Sequence, residues 1–313
     1  MSMSMQTAPL AEAAAGAQFL RVRMLAERGA EQAQCKLGVM YQKGQGVPQS
    51  HALAAHWFRL AAEQGYAPAQ YNLGWLCARG EGVAQDSGRA MHWFSAAAEQ
   101  GDGCAQNNLG MMFDTGNGVP QDLRQAIIWY LKAAGQGYAR AQHTLGLRYA
   151  IGQGLAHDEL KAMLWWRKAA AQEYAAAQFM LGVLHDQDDG PAPNARQAHA
   201  WYLKAAGQGH ALAQFTLGLR YDNGQGVLQD HAEAKAWYLK AATQGHARAQ
   251  FNLGLMHLGG QDLPAERMQA YLWLSMAGKS GVRPAMKYIA QTAARMGAAE
   301  LVQARERLAL LPG

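Results

Sequence analysis

The sequence predicts an all-α fold, a right-handed α-solenoid of helix–turn–helix repeats with a 36-residue period. Three observations predict it. The string Ala-Gln-x-x-Leu-Gly begins at Ala33, Ala69, Ala105, Ala141, Ala177, Ala213 and Ala249, each 36 residues after the last. Trp57, Trp93, Trp129, Trp165, Trp201, Trp237 and Trp273 keep the same step. So do Ala54, Ala90, Ala126, Ala162, Ala198, Ala234 and Ala270. In-register copies without an insertion mark an array in which each repeat stacks on its neighbours.

Positions are counted from the first alanine of each copy. Apolar residues at positions 1, 5 and 9, such as Ala141, Leu145 and Tyr149, have helical spacing and predict a first helix ending near position 11. Glycine at position 12 (Gly44, Gly80, Gly116, Gly152, Gly224 and Gly260) stands where a helix takes a left-handed C-cap. A second glycine two residues on makes a tight Gly-x-Gly turn, followed by a small apolar residue such as Val47, Val119 or Val227. Position 18 holds Ser50, Asp86, Asp122, Asp158, Asn194 and Asp230, whose short side-chain oxygens suit the N-cap of a second helix. That helix carries Ala, Trp, an aromatic and an Ala-Ala pair, as in Ala234, Trp237, Tyr238, Ala241 and Ala242. It ends near Gly65, Gly101, Gly137, Gly209, Gly245 or Gly281. Position 6, from Gly38 to Gly254, is a glycine inside the first helix. Such a glycine costs about 1 kcal/mol against alanine. Its recurrence predicts a close approach of the two helices, with large Trp and Tyr side chains filling the space beside it.

The expected organisation is one continuous domain: a tail and capping helix over 1–32, seven repeats over 33–284, and capping helices over 285–313. Gln18 to Ala33 reads as a lone second helix, and Glu300 to Leu310 as a final helix over the last apolar face. Repeat five is the expected weak link, because Asp188 replaces the capping glycine and Pro191 and Pro193 stiffen the turn.

The stretch Ala213 to Arg248, AQFTLGLRYDNGQGVLQDHAEAKAWYLKAATQGHAR, resembles the Sel-one-like repeat family, relatives of the tetratricopeptide repeats. The resemblance covers about Ala33 to Arg283; its 36-residue step and Gly-x-Gly turn separate it from the 34-residue tetratricopeptide repeat. It implies an adaptor in multiprotein assemblies and signalling, including in bacteria. Fold alone does not fix a role.

Composition excludes several classes. The 313 residues carry a net charge of +5, with Lys and Arg scattered rather than clustered, which argues against a nucleic-acid partner. Cys35, Cys77 and Cys104 are too few for a disulfide framework and read as small buried hydrophobes in a reducing compartment. The start, MSMSMQTAPL, lacks the layout of a secretory signal, and no stretch of about 18 apolar residues suggests a membrane span. A cytoplasmic location is expected.

Chemical motifs are sparse. Among the eleven histidines, His210 and His246 share one repeat position, and His185 and His257 replace the usual tyrosine at position 9; none has metal-ligand spacing. Asp186, Asp188, Asp189 and Gly190 look like the start of a calcium loop, but Gln197 stands where a bidentate glutamate is required. No nucleophile motif, phosphate loop or dinucleotide fingerprint is present. The expectation is therefore no catalytic residue, no metal and no cofactor.

The binding surface is sketched from a helical wheel. Positions 3, 7, 10 and 11 of the first helices point away from the core and, as in tetratricopeptide arrays, would line a concave groove. The candidate partner-binding residues are Tyr71, Trp75, Asp114, His143, Phe179, Asp186, Phe215, Asp222 and Phe251. Equally, the position 3 aromatics can pack between neighbouring first helices, because a wheel does not place contacts between repeats. The function expected is a scaffold binding a peptide or partner domain, with carboxylates that favour a basic partner. The alternative is a dedicated inhibitor or immunity-type protein that plugs a partner enzyme. A third class, an enzyme acting on cell-wall or peptide substrates, has no residue set to support it.

Overall fold

The computed structural model describes residues 7–187, 193–260 and 263–310, with side chains described from residue 16 onward. Among the described residues there are seventeen α-helices and no strand. The chain divides into two compact units, Met1–Trp165 and Trp166–Gly313.

In the first unit a long helix, Thr7–Glu27, precedes hairpins whose first helices include Glu31–Lys43, Ala67–Arg79, Gly103–Thr115 and Ala139–Ile151. Their second helices are His51–Glu63, Ser87–Glu99 and Leu123–Gly135. In the second unit first helices Ala175–Asp186, Ala211–Asn223 and Ala247–Gly259 pair with second helices Ala195–Gly207, His231–Thr243 and Pro264–Lys279. Ala285–Arg295 and Ala298–Leu310 follow, and the last of these brings Ala304 against Met268, Tyr271 and Leu272. Within each unit successive helices of the hairpins pack on one another, and the last helix packs on Pro264–Lys279, two helices earlier.

The caps lie where position 18 places them. Ser50, Asp86, Asp122, Asn194 and Asp230 accept backbone N–H groups at the start of the second helix, and Asp158 accepts from Lys161 N at 2.9 Å. The position 12 glycines Gly44, Gly80, Gly116, Gly152 and Gly224 are left-handed, with φ between 67° and 74°. Gly260 differs: its φ is −76°, so it gives no left-handed cap. The loss of the capping glycine at Asp188, with the prolines that follow, was the sequence reason to expect weakness in repeat five; residues 188–192 lie outside the described residues.

The glycine at position 6 has a measurable cause. A Cβ on Gly38 would sit 2.6 Å from the Phe58 ring, on Gly74 2.9 Å from Phe94, on Gly110 2.8 Å from Tyr130 and on Gly182 2.5 Å from Tyr202. Gly218 meets Tyr238 in the same way. The ring that fills this space is the residue after the tryptophan, which corrects the sequence expectation in part. Phe58, Trp166, Tyr202 and Tyr238 are fully buried, whereas Trp57, Trp93, Trp129, Trp201 and Trp237 remain partly exposed. Alanine at positions 22, 29 and 30 lies beneath the ring, as Ala126, Ala133 and Ala134 do.

Copies are joined by a buried glutamine at position 2. Each of Gln34, Gln70, Gln106, Gln142, Gln178, Gln214 and Gln250 donates Nε2 to a carbonyl eight residues earlier, at the end of the preceding second helix, over 3.1–3.5 Å. Its Oε1 in turn accepts from a glutamine 30 residues later in five copies, Gln64, Gln100, Gln136, Gln208 and Gln244, at 2.7–2.9 Å. Buried amides satisfied on both sides fix the stacking register. After Gln250 the ladder partner is replaced by Ser280.

Two histidines cap first helices. His210 Nδ1 accepts from Ala213 N and His246 Nδ1 from Ala249 N, both at 3.2 Å, which requires a neutral ring with its proton on Nε2. Asp102 makes the same cap at 2.7 Å. Burial lowers the affinity of both histidines for a proton, and Arg248 adds to this at His246. Their contribution to stability is therefore complete above the unfolded histidine value of about 6.5 and is lost as pH falls through the lower folded value.

Three outcomes follow from this packing. Ala126→Leu, at a site 1% exposed, overpacks the hairpin and costs about 1–3 kcal/mol in chemical denaturation. Glu173, at φ 59°, is the one non-glycine with positive φ among the described residues, at a position that is glycine in every other repeat. Glu173→Gly relieves about 1–2 kcal/mol of left-handed strain against about 0.4–1 kcal/mol of added unfolded-chain entropy, so the unfolding midpoint rises. The thermal midpoint falls as pH is lowered from about 6.5 through the depressed values of these histidines. The paired change His210→Asp and His246→Asp makes that fall shallower, leaving the part due to His199, which burial and Arg220 also hold in its neutral form.

Candidate functional site

The outward faces of the first helices divide into three kinds of position. Position 3 is mortar. In the first unit Tyr71 is half-buried, with its ring 5.9 Å from Phe94. Burial of that phenol raises its proton affinity, helped by the neighbouring Cys104 and Asp102. His143 is half-buried at the same position. In the second unit Phe179 lies 5.6 Å from Tyr202 and stacks on His210 at 5.0 Å. Phe215 lies 5.9 Å from Tyr238 and 4.5 Å from His246, and is only 7% exposed. Phe251 meets Tyr288 edge-on at 5.7 Å. Each of these three rings spans from its own hairpin to the start of the next first helix or beyond, so most of its surface is spent on stacking.

Position 7 is different. It carries Val39, Trp75, Met111, Leu147, Val183, Leu219 and Leu255, all apolar and none buried. Trp75 has the Arg79 guanidinium 4.5 Å from its ring centre, and Met111 is 39% exposed. These side chains contribute to the core from one edge and offer the other edge to solvent.

Position 10 is a carboxylate in three repeats, and each is engaged. Asp114 accepts from Tyr130 Oη at 3.3 Å, Asp186 from Tyr202 Oη at 3.4 Å and Asp222 from Tyr238 Oη at 3.2 Å. Burial and the adjacent carboxylate drive all three phenols well above the ordinary tyrosine range. Two of the carboxylates also receive an arginine from the following repeat. Arg148 pairs with Asp114, and Arg220 reaches Asp186 Oδ1 at 2.5 Å. Arg220 is almost wholly buried, donates also to Ala195 O at 3.1 Å and lies over the Tyr202 ring. Asp222 instead has His231 Nδ1 at 2.9 Å.

The sequence reading did not contain Arg148 or Arg220, and it gave the tyrosines only as fillers beside the glycine. A signal for them exists. Aspartate at position 10 occurs only in repeats whose position 26 is tyrosine, 16 residues later, and the arginines stand 34 residues after two of the aspartates. At Asp186, where the sequence already lacked the glutamate a calcium loop needs, the carboxylate is held in this ion pair. Residues 188–192, which carried that loop's other carboxylates, lie outside the described residues.

The opposite surface, on the second helices, is already dressed. Lys132, Lys204 and Lys240 each lie over the tryptophan three residues before them, at 4.0, 4.5 and 3.8 Å. A cation held on the ring face covers part of the apolar surface a partner would use. Cys35 and Cys77 are buried, and burial pushes the Cys35 thiol up to about 11; Cys104 is only half-buried, beside Tyr138, whose phenol burial and the thiol push up to about 12. Among the described residues no three His, Cys, Asp or Glu converge as a metal site, and no helix is long and apolar enough to cross a membrane.

Known proteins share this architecture. A protective antigen of uropathogenic Escherichia coli displaying an SLR fold is 30% identical, with a TM-score of 0.71 over 93% of this chain and 71% of its own. A Sel1 repeat protein from Oxalobacter formigenes is 28% identical, with a TM-score of 0.69 over 78% of this chain and 96% of its own. No curated protein matches the chain. The Sel1 repeat model matches residues 31–66, 67–102, 105–138, 139–174, 175–210, 211–246 and 247–282. Six of these seven stretches open on the first residue of a first helix. By that match and by the geometry of its hairpins, the chain belongs to the Sel1 repeat family.

Proposed function

We propose that this chain is a protein-interaction scaffold and that its partner docks on the outward faces of the first helices. The observation that carries the reading is position 7: seven apolar side chains, one per repeat, none of them buried. The hairpins stack mainly through positions 1, 2, 5, 6 and 26, and the position 7 side chains give that packing only one edge. Apolar side chains repeated on the outward faces of the first helices within each unit are what a partner buries. Trp75 is the best anchor among them, being large, rigid and aromatic.

Catalysis has no comparable support, because the polar groups on this face are committed to one another in Asp–Tyr and Asp–Arg contacts. The same commitments narrow the electrostatic part of the reading. Asp114 and Asp186 are neutralised from within, so steering of a basic partner falls chiefly to Asp222.

Trp75→Ala and Leu219→Ala, each made in the full chain, weaken capture of the native partner by roughly thirtyfold, about 2 kcal/mol at a hot spot, with helicity unchanged by circular dichroism. Unaltered capture in both, with loss on Lys204→Ala or Lys240→Ala, would move the interface to the second helices. Picomolar binding to a single enzyme would identify an inhibitor; micromolar binding to several proteins identifies a scaffold.

A further inference from the structure

The Asp–Tyr pair at positions 10 and 26 occurs three times, and twice it is completed by an arginine from the next repeat. The third time it is not. Met256 stands 34 residues after Asp222, where Arg148 and Arg220 stand after Asp114 and Asp186. Around Asp222 and Met256 lies a cleft of about 690 Å³, walled also by His231, Lys235, Asn252 and Leu255. The geometry points to this cleft as a socket for an arginine side chain of a protein partner. The inference rests on the docking reading above and narrows it to one residue type.

The filled copies show what the open one takes. In repeat five the guanidinium of Arg220 meets three groups: the Asp186 carboxylate at 2.5 Å, the carbonyl of Ala195 at 3.1 Å and the Tyr202 ring at 5.6 Å. The same three groups one repeat later are the Asp222 carboxylate, the carbonyl of His231 and the Tyr238 ring. A planar guanidinium with several donors suits a carboxylate, a carbonyl and a ring together; a lysine ammonium is a point charge with no fork. His231 already touches Asp222 Oδ1, but its side chain is 66% exposed, and the hydroxyl of Tyr238 is on Oδ2. Asp114 shows that one oxygen takes both donors, since Tyr130 and Arg148 share its Oδ2.

Two further features set the partner. Lys235 is the opposing charge on the wall, so a docking cation must gain enough from Asp222 to outweigh it. Leu255, the position 7 residue of its repeat, forms part of the same wall. An arginine flanked by an apolar residue on the partner therefore meets both its charge and its apolar match at one place.

The test uses the full chain labelled with ¹⁵N and the capped tripeptide acetyl-Gly-Arg-Gly-amide, followed at the amides of Ala232, Asn252 and Met256. The arginine peptide gives saturable shifts at these amides. The citrulline peptide, of the same shape without the charge, binds at least roughly tenfold more weakly, and the lysine peptide falls between them. Asp222→Asn removes the shifts with helicity intact. Met256→Arg also removes them and raises the thermal midpoint, because it closes the socket from within as Arg148 and Arg220 do. Equal response to arginine and citrulline, or shifts that survive both substitutions, overturns the socket. Tighter binding of free L-arginine than of the capped peptide overturns it too, in favour of an amino-acid site. If no peptide shifts these amides while partner capture still depends on Trp75 and Leu219, the socket fails and the docking face stands.

Discussion

In the hairpins of Gly38, Gly74, Gly110, Gly182 and Gly218 the two helices approach until a ring of the second helix occupies the space a side chain would need on the first; at Gly254 Leu274 takes that place. Glycine at position 6 is the only residue that permits this, and the loss of about 1 kcal/mol of helix propensity is offset by burying a whole ring. Much else depends on that contact. The ring rests on alanines such as Ala126, Ala133 and Ala134, since anything larger would lift it away from the glycine. The tryptophan one residue earlier is turned toward the edge of the hairpin and becomes partly exposed. Where the ring is tyrosine, its hydroxyl arrives at the last turn of the first helix, which is where an aspartate can accept it.

The outward face is what remains after these demands are met. Positions 1, 2, 5 and 6 are consumed by stacking, and position 3 aromatics in the later repeats are spent against capping histidines and tyrosines. Position 7 packs on the core with one edge only. It is aliphatic or Met in most repeats and Trp in one.

The local part of this structure was legible in the sequence because period and capping are local quantities. Helix ends at Asp86 or Gly116 and the close approach at Gly110 follow from residues a few places away along the chain. The stacking glutamines were equally periodic, and their role was still not readable. Gln70 is explained only by a carbonyl at Ala62 and an amide at Gln100, on two other helices. The candidate site suffered from the same limit. A helical wheel places Phe215 and Leu219 on one face, yet the first lies beneath His246 and the second reaches solvent. Asp114 and Asp186 looked like free surface charge because their arginines come from the next repeat. Gly260 shows the opposite case, a periodic residue whose backbone departs from its copies.

The glutamine at position 2 has a bearing on how such arrays lengthen. Across the joint between copies it contacts a main-chain carbonyl, which every residue type supplies, while its side-chain partner lies inside its own copy. A duplicated 36-residue unit therefore brings its own stitch and docks on whatever precedes it, so gene duplication adds or removes copies without compensating substitutions. The Asp–Arg contact obeys the reverse rule. It joins side chains of two different copies, as Asp186 joins Arg220, and a shuffle that separates them strands a buried guanidinium. One kind of joint leaves the number of copies open to change; the other fixes the order of particular neighbours.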